Sequence, residues 1–146
     1  MSVLASLDIC VTNIASVFDM ITICHEIGWS WKDREGESEF LPLNDGDSFN
    51  WYFKTITEEE LASLINTKEK AGEMIGVQLY YRSGEIGVSL LAENCSQYSF
   101  LLNCNRIKCA ESCGIGYTDV NWYMEKIVQA LQKKQVQIAS VRYSEI

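Results

Sequence analysis

Three apolar segments in the second half of the chain place the strongest constraint on its fold. They cover 74–81, 85–91 and 98–104, and polar turns at Ser83–Gly84 and at 94–97 separate them. Short segments rich in β-branched and aromatic residues, joined by such turns, are typical of neighbouring antiparallel strands. The sequence therefore predicts a three-stranded meander.

Helices are predicted on both sides of this meander. Residues 12–27 have apolar side chains at helical spacing, with Thr12 or Asn13 as the N-cap. Gly28 directly follows the predicted helix, at the position where helices commonly end with a glycine. A later helix begins at Asp119, which is its predicted N-cap. Its apolar face contains Val120, Tyr123, Met124, Ile127, Val128 and Leu131.

A further helix is marked by a capping box. Thr57 is the predicted N-cap, and Glu60 stands three residues later, where its carboxylate can reach back to the N-cap amide. Three consecutive acids at 58–60 also suit the positive end of the helix dipole. We expect this helix to run to about Lys70 and to stop near Gly72.

The remaining segments add strands to the domain. Residues 3–11 fit a first strand or the first turns of a helix, and residues 136–143 fit a final strand. Asp45–Gly46 lies between the apolar runs 40–43 and 49–53. This pattern predicts a hairpin with a type I′ turn, in which both central residues have positive φ.

Together these elements predict an α+β fold. We expect a single domain over residues 1–146, with an antiparallel or mixed sheet of about five to six strands and about three helices packed against it. The chain has one proline and no stretch resembling a linker. Its length corresponds to about one compact domain.

The cysteines are expected to be reduced core residues. The first residues lack the basic region of a secretory signal, and no apolar run is long enough to cross a membrane. We therefore expect a cytoplasmic protein with free thiols. Cys104, Cys109 and Cys113 have a spacing unlike that of structural zinc sites. We predict no metal site and no cofactor.

The charge of the chain is strongly asymmetric. Residues 1–60 contain twelve acidic and three basic side chains, whereas residues 61–146 contain eight acidic and nine basic ones. The net charge of −8 opposes binding to nucleic acids and to anionic membranes. A basic macromolecule is the partner that this charge favours.

No set of residues typical of an active site is present. His25 is the only histidine, and we interpret it as a residue near the C-terminus of its helix. Cys24 cannot pair with it, because adjacent helical residues point about 100° apart. Gly114–Gly116 lacks the rest of a phosphate-binding loop, and Asn44–Asp47 lacks the spacing of a calcium loop. We expect turns at both places.

Aromatic and acidic residues alternate between Trp29 and Phe53. Aromatic side chains are common anchors at protein interfaces, and carboxylates pair with Arg and Lys of a partner. We predict an interface here, with Trp31 as the main apolar anchor. The predicted partner-binding residues are Trp31, Asp33, Glu35, Glu37, Glu39, Asp45, Asp47 and Trp51.

In size, acidity and layout the chain resembles the immunity proteins of bacterial toxin systems, such as contact-dependent growth inhibition. The residues that carry the resemblance are the acidic and aromatic stretch 29–53 and the strand-rich region 74–143. The resemblance implies a toxin inhibitor that acts by protein–protein interaction with one cognate toxin, often a nuclease. The inhibitor covers the active site of the toxin or a neighbouring surface.

Two other functions fit the same residues. One is an acidic secretion chaperone, which acts as a dimer on an unfolded effector segment. The other is a small enzyme. We predict a non-catalytic protein that is monomeric before it binds a basic toxin, and that binds neither nucleic acid nor membrane.

Overall fold

A computed structural model describes residues 4–82, 84–109 and 116–146 of the chain. Within them the fold is α+β, as predicted. The sheet consists of β1 (Ala5–Val11), β2 (Trp29–Ser30), β3 (Ser38–Phe40), β4 (Tyr52–Lys54), β5 (Ile75–Tyr81), β6 (Ile86–Asn94), β7 (Gln97–Cys104) and β8 (Ile138–Glu145).

All strand pairings in the described sheet are antiparallel. The order is β4-β3-β5-β6-β7-β1-β8, and β2 also pairs with β5. The predicted count of five to six strands is too low, since the described part of the chain forms eight. β2, β3 and β4 have only two or three residues each, which is too short for an alternating pattern to identify them. The predicted meander is confirmed as β5, β6 and β7.

Three helices accompany the sheet in the described residues. They are α1 (Val17–Glu26), α2 (Glu58–Ala71) and α3, which we define as residues 120–133. Its middle, Met124–Gln129, is a π-helix between two α-helical turns. The main-chain carbonyl of Lys126 in this wider segment accepts a hydrogen bond from the Trp29 indole at 3.0 Å.

One face of the sheet forms the hydrophobic core. The register aligns Leu7, Phe100, Leu90, Val77 and Phe40 across five adjacent strands, and each is at most 3% exposed. Apolar side chains from all three helices belong to the same buried cluster. We call this side of the sheet the core face.

The opposite side of the sheet, which we call the open face, has a different composition. Its register aligns Arg142, Asp8, Ser99, Leu91 and Gly76 across neighbouring strands. Polar side chains suit a face that an antiparallel sheet leaves to solvent. The connection between β3 and β4 covers this face at Gly76, where the side chains of Leu41 and Trp51 would lie 2.7 and 2.9 Å from an added Cβ.

The helix boundaries follow the predictions in part. Thr57 and Glu60 form the predicted capping box, and Asp119 accepts a hydrogen bond from the Trp122 amide as the N-cap of α3. The predicted N-cap of α1 is wrong, because the helix begins after Ser16. Thr12 and Asn13 are instead hydrogen-bonded to the segment 135–137 that leads into β8.

The structure also decides the strand or helix at the start of the chain and tests the predicted hairpin. Residues 5–11 form a strand, not helical turns. The predicted hairpin is present, with Glu39 opposite Phe53, but its turn is an eleven-residue loop at 41–51. The prediction of a type I′ turn is wrong. Such a turn needs positive φ at both central residues, and Gly46 has φ +60° but Asp45 is not among the residues with positive φ.

Candidate partner-binding surface

The two tryptophans predicted to contact a partner pack within the protein. Trp31 is 7% exposed and belongs to the core, with the Lys32 ammonium 4.9 Å from its ring centroid. Trp51 is half-buried against Gly76 on the open face, where an added Cβ would lie 2.9 Å from its ring. The burial of Trp31 removes it from the role of an exposed anchor. Both indoles fix the shape of the segment that carries the acidic residues.

Asp33 organises the first acidic loop. Its Oδ1 accepts hydrogen bonds from the main-chain amides of Glu35 and Glu37, both at 2.9 Å. The amide of Asp33 in turn donates to the Glu37 carbonyl at 2.8 Å. Short polar side chains commonly stabilise turns in this way. Asp33 therefore holds the loop, and Glu35 projects from it into solvent.

Asp45 plays the same part in the 41–51 loop. Its two carboxylate oxygens accept hydrogen bonds from the amides of Phe49 at 2.7 Å and Asn50 at 3.0 Å. The Asp45 carbonyl accepts a third, from Ser48 at 3.1 Å. These bonds support a backbone in which Asp47 and Phe49 have positive φ. Two of the predicted interface acids, Asp33 and Asp45, thus have structural roles.

A buried lysine ties the 41–51 loop to α2. Lys68 is 0% exposed, and its ammonium donates to the carbonyls of Pro42 at 2.6 Å and Leu41 at 3.3 Å. Glu73 lies 3.8 Å from the ammonium and also accepts a hydrogen bond from the Asn44 amide at 2.8 Å. Burial lowers the pKa of Lys68, and the nearby charge of Glu73 opposes that shift.

Lys68 and Glu73 were not among the residues predicted from the sequence. The helical spacing contains a signal, because Lys68 falls seven residues after Leu61 and three after Ile65, on the buried face of α2. A lysine at such a position is rarely buried unless its charge is paired. Its partners come from a loop about 26 residues earlier in the chain.

Exposed acidic and aromatic side chains remain along this edge of the sheet. Phe49 is 43% exposed, Tyr52 52% and Phe53 56%, and Glu39 lies directly opposite Phe53. Among the carboxylates that hold no loop together, Glu35 and Asp47 are exposed, and Glu37 and Glu39 are half-buried. We define the acidic–aromatic surface as Glu35, Glu37, Glu39, Asp47, Phe49, Tyr52 and Phe53.

Tyr80 adjoins this surface on the open face. It lies opposite Ser30 of β2, and its phenol is half-buried. Burial, followed by the charges of Glu39 and Asp33, raises the pKa of Tyr80 to about 12. Like any phenol, it is protonated at neutral pH, so it can donate a hydrogen bond to a nearby carboxylate.

The residues considered for catalysis are not arranged for it. Burial raises the pKa of Cys24 to about 12, which keeps its thiol protonated and unreactive, and His25 is exposed. The five described cysteines are free thiols, namely Cys10, Cys24, Cys95, Cys104 and Cys109. The described residues contain no group of three or more His, Cys, Asp or Glu side chains placed to hold a metal ion. Predictions for Cys113, Gly114 and Ile115 lie outside the described residues.

Within the ranges that the structure describes, no helix combines the length and the apolar character needed to cross a bilayer.

Comparison with known proteins gives no match to this chain. No protein-family model, no curated protein sequence and no solved structure is significantly similar to it.

Proposed function

We propose that this chain is a non-catalytic binding protein, and that it acts as an immunity protein by covering a basic surface of a cognate toxin. The observation that carries the proposal is the acidic–aromatic surface at the β3–β4 edge of the sheet. It combines three exposed aromatic rings with four carboxylates. Two of its members, Asp47 and Phe49, lie on the 41–51 loop, whose first carbonyls Lys68 holds from the buried side.

The fixed loop supports a binding role on energetic grounds. Ordering the backbone of a mobile segment on binding costs roughly 1–2 kcal/mol per residue. Asp45 and Lys68 already hold the main chain of this loop in one conformation, so Phe49 and Asp47 are presented without that ordering of the backbone. Residues presented in this way suit a specific partner.

The charges support a basic partner. Exposed carboxylates at the rim of an interface act mainly on the rate of association, through long-range attraction. Glu35, Glu37, Glu39 and Asp47 would supply this attraction, while Phe49, Tyr52 and Phe53 would supply apolar contact. In this proposal Trp31, Asp33, Asp45 and Trp51 shape the surface rather than contact the partner.

A growth assay tests the proposal. The gene next to the one that encodes this chain is expressed alone and together with it, and growth is compared. We expect the neighbour to be toxic alone and harmless in the presence of this chain, and we expect the two purified products to form a stoichiometric complex. An obligate dimer that binds only an unfolded segment would favour the secretion chaperone instead.

Charge reversal locates the surface. We expect Glu35→Lys/Glu37→Lys to slow association with the purified toxin and to weaken its dependence on salt. Glu26→Lys/Glu125→Lys changes the net charge equally but alters α1 and α3. If both double variants bind alike, the acidic–aromatic surface is not the interface.

A further inference from the structure

Among the residues that the structure describes, the last strand is an edge of the sheet, on the side away from the acidic–aromatic surface. β8 stands at one end of the strand order and pairs with no described strand other than β1, whereas β4 stands at the other end. Six strand spacings separate them, which corresponds to roughly 30 Å. The two edges are therefore separate surfaces.

The hydrogen-bond pattern shows which main-chain groups of β8 point outward. Leu4 and Ile146 exchange both of their main-chain hydrogen bonds, at 2.8 and 3.0 Å. Because hydrogen-bonded and non-hydrogen-bonded pairs alternate in an antiparallel ladder, Ser144 and Arg142 also bond to β1. Val141, Tyr143 and Glu145 consequently direct their amides and carbonyls away from β1.

The outer edge of β8 is most accessible before Tyr143, whereas the Glu145 carboxylate accepts a hydrogen bond from the Thr118 amide. Residues 139–142 are exposed, and Val141 is 38% exposed. The strand contains no proline or lysine, which are residues that commonly protect an edge from pairing. A bulge interrupts the ladder only near Ile138, so the part from 140 onward remains regular.

A cavity of about 410 Å³ on the open face adjoins this edge. Leu4, Leu101, Ser144 and Ile146 are among its lining residues. Leu4 is 71% exposed and Ile146 is 87% exposed. Ser144 lies on the same face of β8 as Arg142, two residues away. A strand added beside β8 would therefore point alternate side chains past Arg142 and toward the cavity.

Pairing of β8 with a second copy of itself is disfavoured. In an antiparallel pair of two β8 strands, the hydrogen-bond pattern allows only registers in which outward-directed residues face each other. The two registers that pair the most residues have their symmetry centre at Val141 or at Arg142. The first places the Arg142 side chains of the two copies diagonally adjacent, and the second places them directly opposite, where like charges destabilise a sheet. Each copy also carries a net charge of −8.

We propose that β8 binds an extended segment of another protein as an added strand. The segment carries an acidic residue opposite Arg142 and an apolar residue at the next position on the same face, opposite Ser144. The acidic residue is argued from Arg142, which is exposed and has no carboxylate of a described residue within 4.0 Å. The apolar residue is argued from the cavity. This site is independent of the proposed toxin-binding surface.

The probe for this site is a displayed library of random ten-residue peptides, selected on the intact protein. Amide hydrogen exchange is then measured with an enriched synthetic peptide. We expect the amides of Val141 and Tyr143 to exchange rapidly in the free protein and slowly in the complex. The amide of Arg142, which already bonds to β1, should be slow in both.

Substitutions on β8 provide the controls. Val141→Pro removes an outward amide without removing a bond to β1, and should weaken binding roughly tenfold. Val141→Thr keeps the amide and should bind normally. Arg142→Gln removes the positive charge without placing a second negative charge opposite Asp8 of β1, so the fold should stay intact. It should weaken the binding of peptides that carry the acid, which covers the case in which the proline variant does not fold.

Three outcomes overturn this proposal. They are a selection that enriches no binder, binders that leave the exchange of Val141 and Tyr143 unchanged, and protection of these amides in the free protein that rises with its concentration. The last outcome would assign the edge to a second copy of the chain. None of the three bears on neutralisation of a toxin by the acidic–aromatic surface.

Discussion

Replacement of Lys68 by methionine tests the structural basis of the candidate surface. Methionine fills much of the volume of the lysine stem but removes the ammonium. The ammonium donates to two main-chain carbonyls, at 2.6 and 3.3 Å, and lies 3.8 Å from Glu73. Each hydrogen bond to a charged group contributes about 1.5–3 kcal/mol, and a buried acceptor left unpaired costs about 1–3 kcal/mol.

Relief of the desolvation of the lysine offsets part of this loss. Burying a charge costs several kcal/mol, which the variant no longer incurs. We therefore expect Lys68→Met to lower the free energy of unfolding by about 2–4 kcal/mol. Lys70→Met is the matched control, since it makes the same change at an exposed position of α2. Its effect should stay within about 0.5 kcal/mol.

Urea denaturation and amide hydrogen exchange measure the two consequences. In Lys68→Met the amides of Asn44 and Phe49 should exchange faster, because both residues belong to the 41–51 loop that Lys68 holds. The amides of the β5–β6 ladder should change only with global stability. Equal unfolding free energies for the wild type and Lys68→Met, with unchanged exchange in the loop, would refute the role assigned to Lys68.

The same variant has an expected pH signature. Burial lowers the pKa of Lys68 from its ordinary value of 10.5, so the folded state releases this proton before the unfolded state does. Stability contributed by this group therefore rises as the pH increases through the folded pKa toward 10.5. Lys68→Met should lack that rise, whereas Lys70→Met should retain it.

Three further outcomes are expected. Tyr98→Phe should leave the free energy of unfolding unchanged or raise it by up to about 1 kcal/mol, because the buried Tyr98 hydroxyl has no hydrogen-bond partner among the described residues. Tyr123→Phe should lower the free energy of unfolding by about 1–3 kcal/mol, because the Tyr123 hydroxyl accepts a hydrogen bond from the Ile107 amide at 2.9 Å. Urea denaturation of both variants measures the contrast, and the reverse order of stabilities would contradict it. Burial raises the pKa of Tyr98 and raises that of Tyr80 to about 12, so the folded state retains protons that the unfolded state releases near pH 10. The tyrosine contribution to stability should fall between pH 10 and about 12, and less steeply in Tyr98→Phe; an equal fall in both proteins would argue against it. Thr57→Ala should lower stability by about 1 kcal/mol through loss of the N-cap and should bring the lowered pKa of Glu60 back toward 4.5 in an NMR titration, and an unchanged titration would contradict the capping box.

Local chemistry accounts for the elements that could be predicted from the sequence. The Thr57–Glu60 capping box and the Asp119 N-cap involve residues three apart in the chain, so their partners are visible in the sequence itself. The meander was predictable because its turns are short and its strands are seven to nine residues long. Periodicity is strongest in such elements.

Long-range contacts account for the errors. Thr12 and Asn13 are good N-cap residues, but their hydrogen bonds go to residues more than 120 positions away, and the helix begins later. The same applies to the candidate surface. The acids of 33–47 were identifiable, but the division between loop-holding Asp33 and Asp45 and the remaining carboxylates depends on folded geometry. Trp31 was assigned to the surface because composition does not distinguish a core indole from an exposed one.

The most direct test of the acidic–aromatic surface is the hydrogen-exchange footprint of the complex with the purified cognate toxin. The proposal predicts new protection in the segments 35–39 and 47–53, with little change in α1 and α3. Unchanged exchange in both segments, with new protection elsewhere, for example along β8 alone, would contradict the proposal.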